Sequence, residues 1–349
     1  MILIIHRSGN IVDEPNHLGI SEGPGVKGVW VEATPRLITG DIEIWASIAK
    51  VKPCRIPGYW LDRPGADVPV GRRPGPGEKV LYCLHGGGYT LFSAHPESTM
   101  AVIARNILQH CQVFQRAFSI EYRLSSTTPY AIANPFPAAL IDALAGYNYL
   151  IDTVGFAPSN VVIEGDSAGG NLALALTRYL VEYSGRTELP AAPSSIIILC
   201  PWADIGSSHD GPNSSETTFT MDFLGTLSAG RNLWSKQAFV GPHGMIAATT
   251  NRYISPASLD LSANFAGFPR TFLVAGGAER LYDGILTLKD RMVADMGEGD
   301  GSGQLTYHEA PDAIHDYIMF PWHDPERTNT LKAISRWLSV PSGTPSTNV

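Results

Sequence analysis

The chain is short of the features that mark several large protein classes. It has only four cysteines, Cys54, Cys83, Cys111 and Cys200, and no C-x-x-C pair among them. That excludes a disulfide framework and the usual zinc and thiol-redox motifs. Cys83 and Cys200 sit in apolar, strand-like runs and read as buried, inert thiols. No apolar run is long enough to span a bilayer, and the N-terminal one, MILII, stops at Ile5, short of a signal-peptide core. A cytoplasmic location is therefore expected. Basic residues are the minority, 25 Lys plus Arg against 33 Asp plus Glu, for a formal net charge of -8. Neither nucleic acid nor an anionic membrane surface is expected as a partner. H-E-x-x-H, a Walker loop and a Rossmann glycine pattern are all missing, so no metal and no cofactor is implied. A small uncharged ligand suits this composition, and a homodimer is left open.

Hydrophobic and charged residues make up 44% and 17% of the 349 positions, a balance that supports a packed core and argues against disorder. Strand patterns at 80–84, 114–122, 161–163 and 196–199, and from 271 and 305, alternate with helical patterns at 99–110, 137–150 and 171–183. Such alternation implies an α/β fold with a mostly parallel central sheet flanked by helices. Residues 1–50 end in DIEIWASIAK, where Ile42, Ile44, Trp45 and Ile48 are read as one helical face. Residues 206–263 interrupt the alternation with Ser/Gly-rich edges and Phe219, Met221, Phe223, Leu224, Trp234 and Phe239. The expected organisation is a helical cap built from 1–50 and an inserted 206–263, a core formed by 51–205 and 264–340, and a flexible tail at 341–349.

The stretch VVIEGDSAGGNLALAL, from Val161, places a serine and three glycines between a β-branched run and a helical one. Gly165-Asp166-Ser167-Ala168-Gly169 is a G-x-S-x-G in the strand-to-helix context of a nucleophile elbow. Glycines two before and two after leave room for a turn tight enough to push the serine out of the sheet in a strained conformation. The following helix aims its first N–H groups at the serine, and the Ala168 N–H is free to donate to an oxyanion. His85-Gly86-Gly87-Gly88 follows an upstream strand, where such enzymes keep their other oxyanion donors.

A serine hydroxyl becomes a nucleophile only beside a base that an acid orients. Glu279 lies just past the strand from 271, with Asp283 as the competing acid four residues on. His315 follows the last strand; His308, the competing base, lies inside the strand-like LTYHEA. Ser167, Glu279 and His315 have the chain order serine, acid, histidine. Asp166 reads as a structural hydrogen-bond acceptor, since neighbours in an elbow point apart. Tyr122, Arg123 and Asp142 read as a polar network behind the glycine loop.

With these residues, the sequence resembles the hormone-sensitive-lipase-like family of α/β-hydrolase esterases over roughly 58–338. HGGG at 85–88 and GDSAGG at 165–170 are similar to its two hallmark motifs, and EYRLS, PFPAAL with Asp142, and CPWAD with Trp202 and Asp204 to further blocks. The resemblance implies an α/β-hydrolase fold with Ser167 as nucleophile, His315 as base and Glu279 as acid. It also implies an oxyanion hole shaped by Gly86, Gly87, Gly88 and Ala168. Family members usually carry Asp where Glu279 stands, so the longer side chain must retract. The stretch YRLSSTTPYAIANPFPAAL departs from the usual YRLAPE, which makes the surface near 125–134 unusual.

The expected activity is that of a serine carboxylesterase acting on small to medium uncharged esters through an acyl-enzyme. Tyr89, Phe92, Phe223 and Trp234 are candidate pocket residues. The alternatives are an acyl-transferase or lactonase with the same triad, and a non-catalytic small-molecule receptor of the same fold, against which the presence of His315 counts.

Overall fold

A computed structural model describes residues 16–186, 188–226 and 229–340 of the chain. The expected tail at 341–349 and the first fifteen residues lie outside them. Among the described residues, eight strands form one sheet in the order β1-β2-β4-β3-β5-β6-β7-β8. They are β1 (Lys27–Val31), β2 (Ile56–Asp62), β3 (Lys79–Leu84), β4 (Phe114–Ile120), β5 (Val161–Asp166), β6 (Ser195–Leu199), β7 (Arg270–Gly276) and β8 (Leu305–Ala310). Every neighbouring pair from β4 to β8 is parallel, and β2 alone runs the other way, antiparallel to both β1 and β4.

The central strands are apolar throughout because both faces are covered, as a parallel sheet requires. Alternate side chains serve opposite faces. Val80, Tyr82, Leu84, Ile163, Ile196, Ile198 and Leu273 join a core with helices α3 (Ala138–Asn148), α4 (Ala168–Glu182) and α8 (Tyr282–Met296). Leu81, Cys83, Val162, Ile197, Leu199, Phe272 and Val274 join a second core with α2 (Ala101–His110) and α9 (Glu326–Ser339). The loops that leave β3, β5, β7 and β8 all emerge at the carboxyl edge of the sheet. β3 is where the strand order reverses, with β4 on one side and β5 on the other, and ligands of open α/β sheets bind at such a switch point.

Two expectations about the N-terminal fifty residues are corrected. Residues 27–31 are not part of a cap but the edge strand β1, paired with 56–60. In helix α1 (Asp41–Ala49) the inward arc carries Ile42, Trp45 and Ala46, whereas Ile44 and Ile48 are 58% and 52% exposed. At 100° per residue, 44 and 48 share the opposite arc, so four large apolar residues do not fit one face. Trp45 packs against Phe136 and against Tyr253 of the inserted segment. That segment is helical, with α5 (Ser215–Thr218), α6 (Ala229–Val240) and α7 (Gly244–Thr250). Among the described residues no helix is long and apolar enough to cross a membrane.

Candidate active site

The elbow forms because three successive constraints meet at Ser167. β5 delivers it at φ 53, ψ -118, outside the regions L residues favour, at a cost of about 1–3 kcal/mol. The surroundings hold it there: Ser167 N–H donates to Leu199 O at 2.9 Å, and Ser167 O accepts from Trp202 N–H at 2.9 Å. A Cβ on Gly165 would enter the Gly169 carbonyl, and one on Gly169 the Leu84 carbonyl, so only glycine allows α4 to start this close to β5 and β3.

His315 lies between this serine and an acid. Its Nε2 is 2.9 Å from Ser167 Oγ, and its Nδ1 is 2.7 Å from Glu279 Oε2. All three residues are buried. The glutamate's extra methylene is taken up by folding back over its own turn, since Glu279 Oε1 accepts the Gly276 N–H at 2.7 Å. Burial lifts its carboxyl above the ordinary range, with the bonds from His315 and Gly276 opposing that rise. The loops that carry Glu279 and His315 are stitched together by Gly277 N–H to Ala310 O at 2.8 Å and Ala278 N–H to Ala313 O at 3.0 Å.

The glycine loop after β3 faces the same point. Gly87 and Gly88 take φ values of 109° and 60°, and their N–H groups, with that of Ala168, donate to no acceptor among the described residues. The Gly86 N–H differs: it donates to Asp166 Oδ1 at 3.1 Å. Gly86 thus fixes the loop to the elbow, and Asp166 is the acceptor anticipated from its place in the turn. The Tyr122 hydroxyl donates to His85 O at 2.6 Å while its ring stacks on the His85 imidazole. Burial lowers His85 to about 4, so its ring is neutral at physiological pH. Arg123 holds Asp142 through a buried fork of Nε and Nη2 contacts at 2.8–3.1 Å.

Known proteins are similar to this chain in sequence and fold. A family model described as the α/β-hydrolase fold matches residues 81–319, more than half of the chain. The chain belongs to the α/β-hydrolase fold family. An acetyl-hydrolase from Streptomyces hygroscopicus is 29% identical over 265 residues, covering 74% of this chain and 73% of its own. The esterase LipU of Mycobacterium tuberculosis is 23% identical, covering 76% and 78%. The crystal structure of an esterase from the bacterial hormone-sensitive lipase family superimposes with a TM-score of 0.61 at 25% identity, over 91% of this chain and 86% of the other. This hydrolase therefore falls among the hormone-sensitive-lipase-like proteins, and the family is one of carboxylic ester hydrolases.

The competing residues of this hydrolase lie elsewhere. Asp283 Oδ2 accepts the Ser215 N–H at 2.8 Å, and His308 Nε2 faces Thr330 Oγ1 at 3.0 Å on the outer strand β8. Of the four pocket candidates, Tyr89 is displaced from that role. It is 1% exposed, stacked on Phe239 at 3.8 Å, with its hydroxyl on Asn171 Oδ1 at 2.6 Å. Such a ring joins the glycine loop to the inserted segment and is almost wholly covered by protein. Trp234 Nε1 donates to Thr128 O at 2.9 Å, so it anchors the unusual 125–134 loop, which is itself closed by Ser126 pairing with Ala133. Phe92 packs into the core shared with α2 and α9. Phe223 sits 5.7 Å from the His315 ring, centroid to centroid.

Three site neighbours were not singled out for the site from sequence. Asp222, in the insert, is buried and accepts from Arg280 N–H at 2.8 Å and His315 N–H at 3.3 Å. Asp316 Oδ2 lies 3.1 Å from His315 Nε2. Cys200, far from being an isolated core thiol, lies with His315 and Asp316 in a group whose ligand-type atoms are within 4.8 Å of one another. Burial, with Glu279 and Asp316 nearby, pushes its thiol up. Adjacency to the histidine was the one available signal for Asp316; nothing local marks Asp222.

Proposed function

We propose that this protein is a serine carboxylesterase that hydrolyses small, uncharged esters through Ser167, His315 and Glu279. The observation that carries the reading is the continuous path Glu279 Oε2, His315 Nδ1, His315 Nε2, Ser167 Oγ, with steps of 2.7 and 2.9 Å. His315 Nε2 accepts the Ser167 proton as Oγ attacks the ester carbonyl carbon. The carbonyl oxygen turns into an oxyanion that Gly87, Gly88 and Ala168 N–H groups receive, an interaction worth about 3–4 kcal/mol per donor at the transition state. Glu279 keeps the Nδ1 proton in place and offsets the charge on the imidazolium. That proton on Nε2 then passes to the leaving alcohol, and water, activated by the same nitrogen, releases the acid from Oγ.

A preference for short acyl groups is part of the proposal, with Phe223, whose ring lies 5.7 Å from the His315 ring, as the nearest aromatic neighbour of the base. The relative named acetyl-hydrolase agrees with this preference. The test is a chain-length series of p-nitrophenyl esters with the native protein and Ser167→Ala. Turnover of acetate and butyrate that disappears in the variant supports the reading. Equal rates in both proteins, or no turnover by the native protein across the series, would overturn it.

A further inference from the structure

We propose that Asp316 is a positioning residue that holds the protonated His315 imidazole in the resting enzyme and thereby sets the pH at which Ser167 becomes a nucleophile. The inference rests on the esterase reading of this site. Three groups surround the ring: Glu279 Oε2 at Nδ1, and both Ser167 Oγ, at 2.9 Å, and Asp316 Oδ2, at 3.1 Å, at Nε2. Nε2 carries one hydrogen or one lone pair. With a lone pair there, it can accept from Ser167, but it also faces a carboxylate oxygen with no hydrogen between them. With a hydrogen there, it donates to Ser167, whose oxygen is then an acceptor and keeps its own proton, and the imidazolium charge faces the Asp316 carboxylate at 3.1 Å. Asp316 thus competes with Ser167 for the base.

The surroundings leave Asp316 no other counter-charge. It is 4% exposed, its Oδ1 has no hydrogen-bond partner, and its one ion pair among the described residues is with His315. The groups that face the imidazole come from every element packed on it. Glu279 comes from the turn after β7, Asp222 and the Phe223 ring from the insert, Asp166 from β5, and the Cys200 thiol from beyond β6. None is cationic. Burial works against the imidazolium, but Asp316 and Glu279 together outweigh it and hold the ring well above its ordinary value. Activation is therefore the loss of one proton from Nε2 to solvent. Ser167 then passes its proton to the vacated Nε2 as its oxygen bonds to the ester carbonyl carbon.

The backbone permits a clean test. Asp316 is at φ 48, ψ 33, a left-handed conformation that Asn tolerates and Gly adopts freely. Asp316→Asn and Asp316→Gly would be titrated by 15N NMR of the His315 ring without substrate, beside pH profiles of kcat/KM for p-nitrophenyl acetate. An opposite charge at this range shifts a titration by about 1–3 pH units. The His315 midpoint should fall by at least about one unit in both variants, with the acid limb of kcat/KM moving by the same amount. A midpoint unmoved in the folded variants overturns the proposal. A midpoint that shifts in the variants while the native protein turns over no ester at any pH upholds the role of Asp316 and instead sinks the esterase reading.

Discussion

Gly276→Ala should push the histidine loop away from Ser167. Gly276 ends β7, donates to Glu279 and has an ordinary φ, so the change carries no backbone strain of its own. A Cβ there would lie 2.5 Å from the Ala313 oxygen and 2.8 Å from the Ile314 oxygen, against the 3.4 Å at which ordinary contact begins. Both atoms are main chain, in the two residues that precede His315, and neither can rotate away. The histidine loop must retreat by about 0.9 Å, the difference between those two distances. If the ring moves with its backbone, the 2.9 Å contact to Ser167 Oγ opens to as much as about 3.8 Å, which is no longer a hydrogen bond. A displacement of about 1 Å costs on the order of 100-fold in rate, or about 2.7 kcal/mol. Overpacking should remove a further ~1–3 kcal/mol of stability. The assay is kcat/KM on p-nitrophenyl acetate with a urea melt alongside. Gly211→Ala serves as the control, since a Cβ there meets nothing within 4 Å. A Gly276→Ala enzyme within about threefold of native kcat/KM, against the ~100-fold loss foreseen, would refute the claim that this approach of β7 to the histidine loop sets the catalytic distance.

Two further outcomes follow from buried acids. Burial raises Glu121 from 4.5 to about 7, against hydrogen bonds from Ser93 and Ala94. Its contribution to stability is complete below the unfolded value and is lost as pH rises through the folded one. Native stability relative to Glu121→Gln should fall by up to about 3 kcal/mol between roughly pH 4.5 and 8, read by urea denaturation at several pH values; a difference that does not change with pH would contradict this. Asp222→Ala strips the acceptor from the Arg280, His315 and Leu224 N–H groups, at about 1–3 kcal/mol for a buried unsatisfied donor. Stopped-assay kinetics should show kcat falling more than KM rises, and loss of stability with kcat intact would mean that the contact is structural alone.

The parts of this molecule legible in sequence are those whose physics is local. The elbow needs small residues at fixed offsets from one serine, and the glycine loop needs them after one strand, so both stand out within a few residues of chain. The parallel sheet announces itself because strands buried on both faces lack polar alternation, as in SIIIL of β6. What stayed hidden depends on distant partners. β1 is held by pairing with residues about 30 positions on and is read as cap because KGVWV is short and half-polar in context. Tyr89 looked like a pocket aromatic until Phe239 and Asn171, 150 and 82 positions away, took both its face and its hydroxyl. Asp222 sits 93 residues from the histidine whose N–H it accepts.

That last contact changes how the inserted segment should be regarded. Asp222 clasps the main chain of the acid loop and the base loop at once, and the next residue lays its ring beside the imidazole. The insert is therefore not an exchangeable accessory that merely selects substrates for a self-sufficient core. An engineer who grafts another insert onto this sheet to change specificity would also remove the contacts that Asp222 makes to the main chain at residues 280 and 315. For this reason, swaps of the insert should retain residues 222 and 223 as a unit with the core, and variation intended for specificity belongs in the helices beyond them.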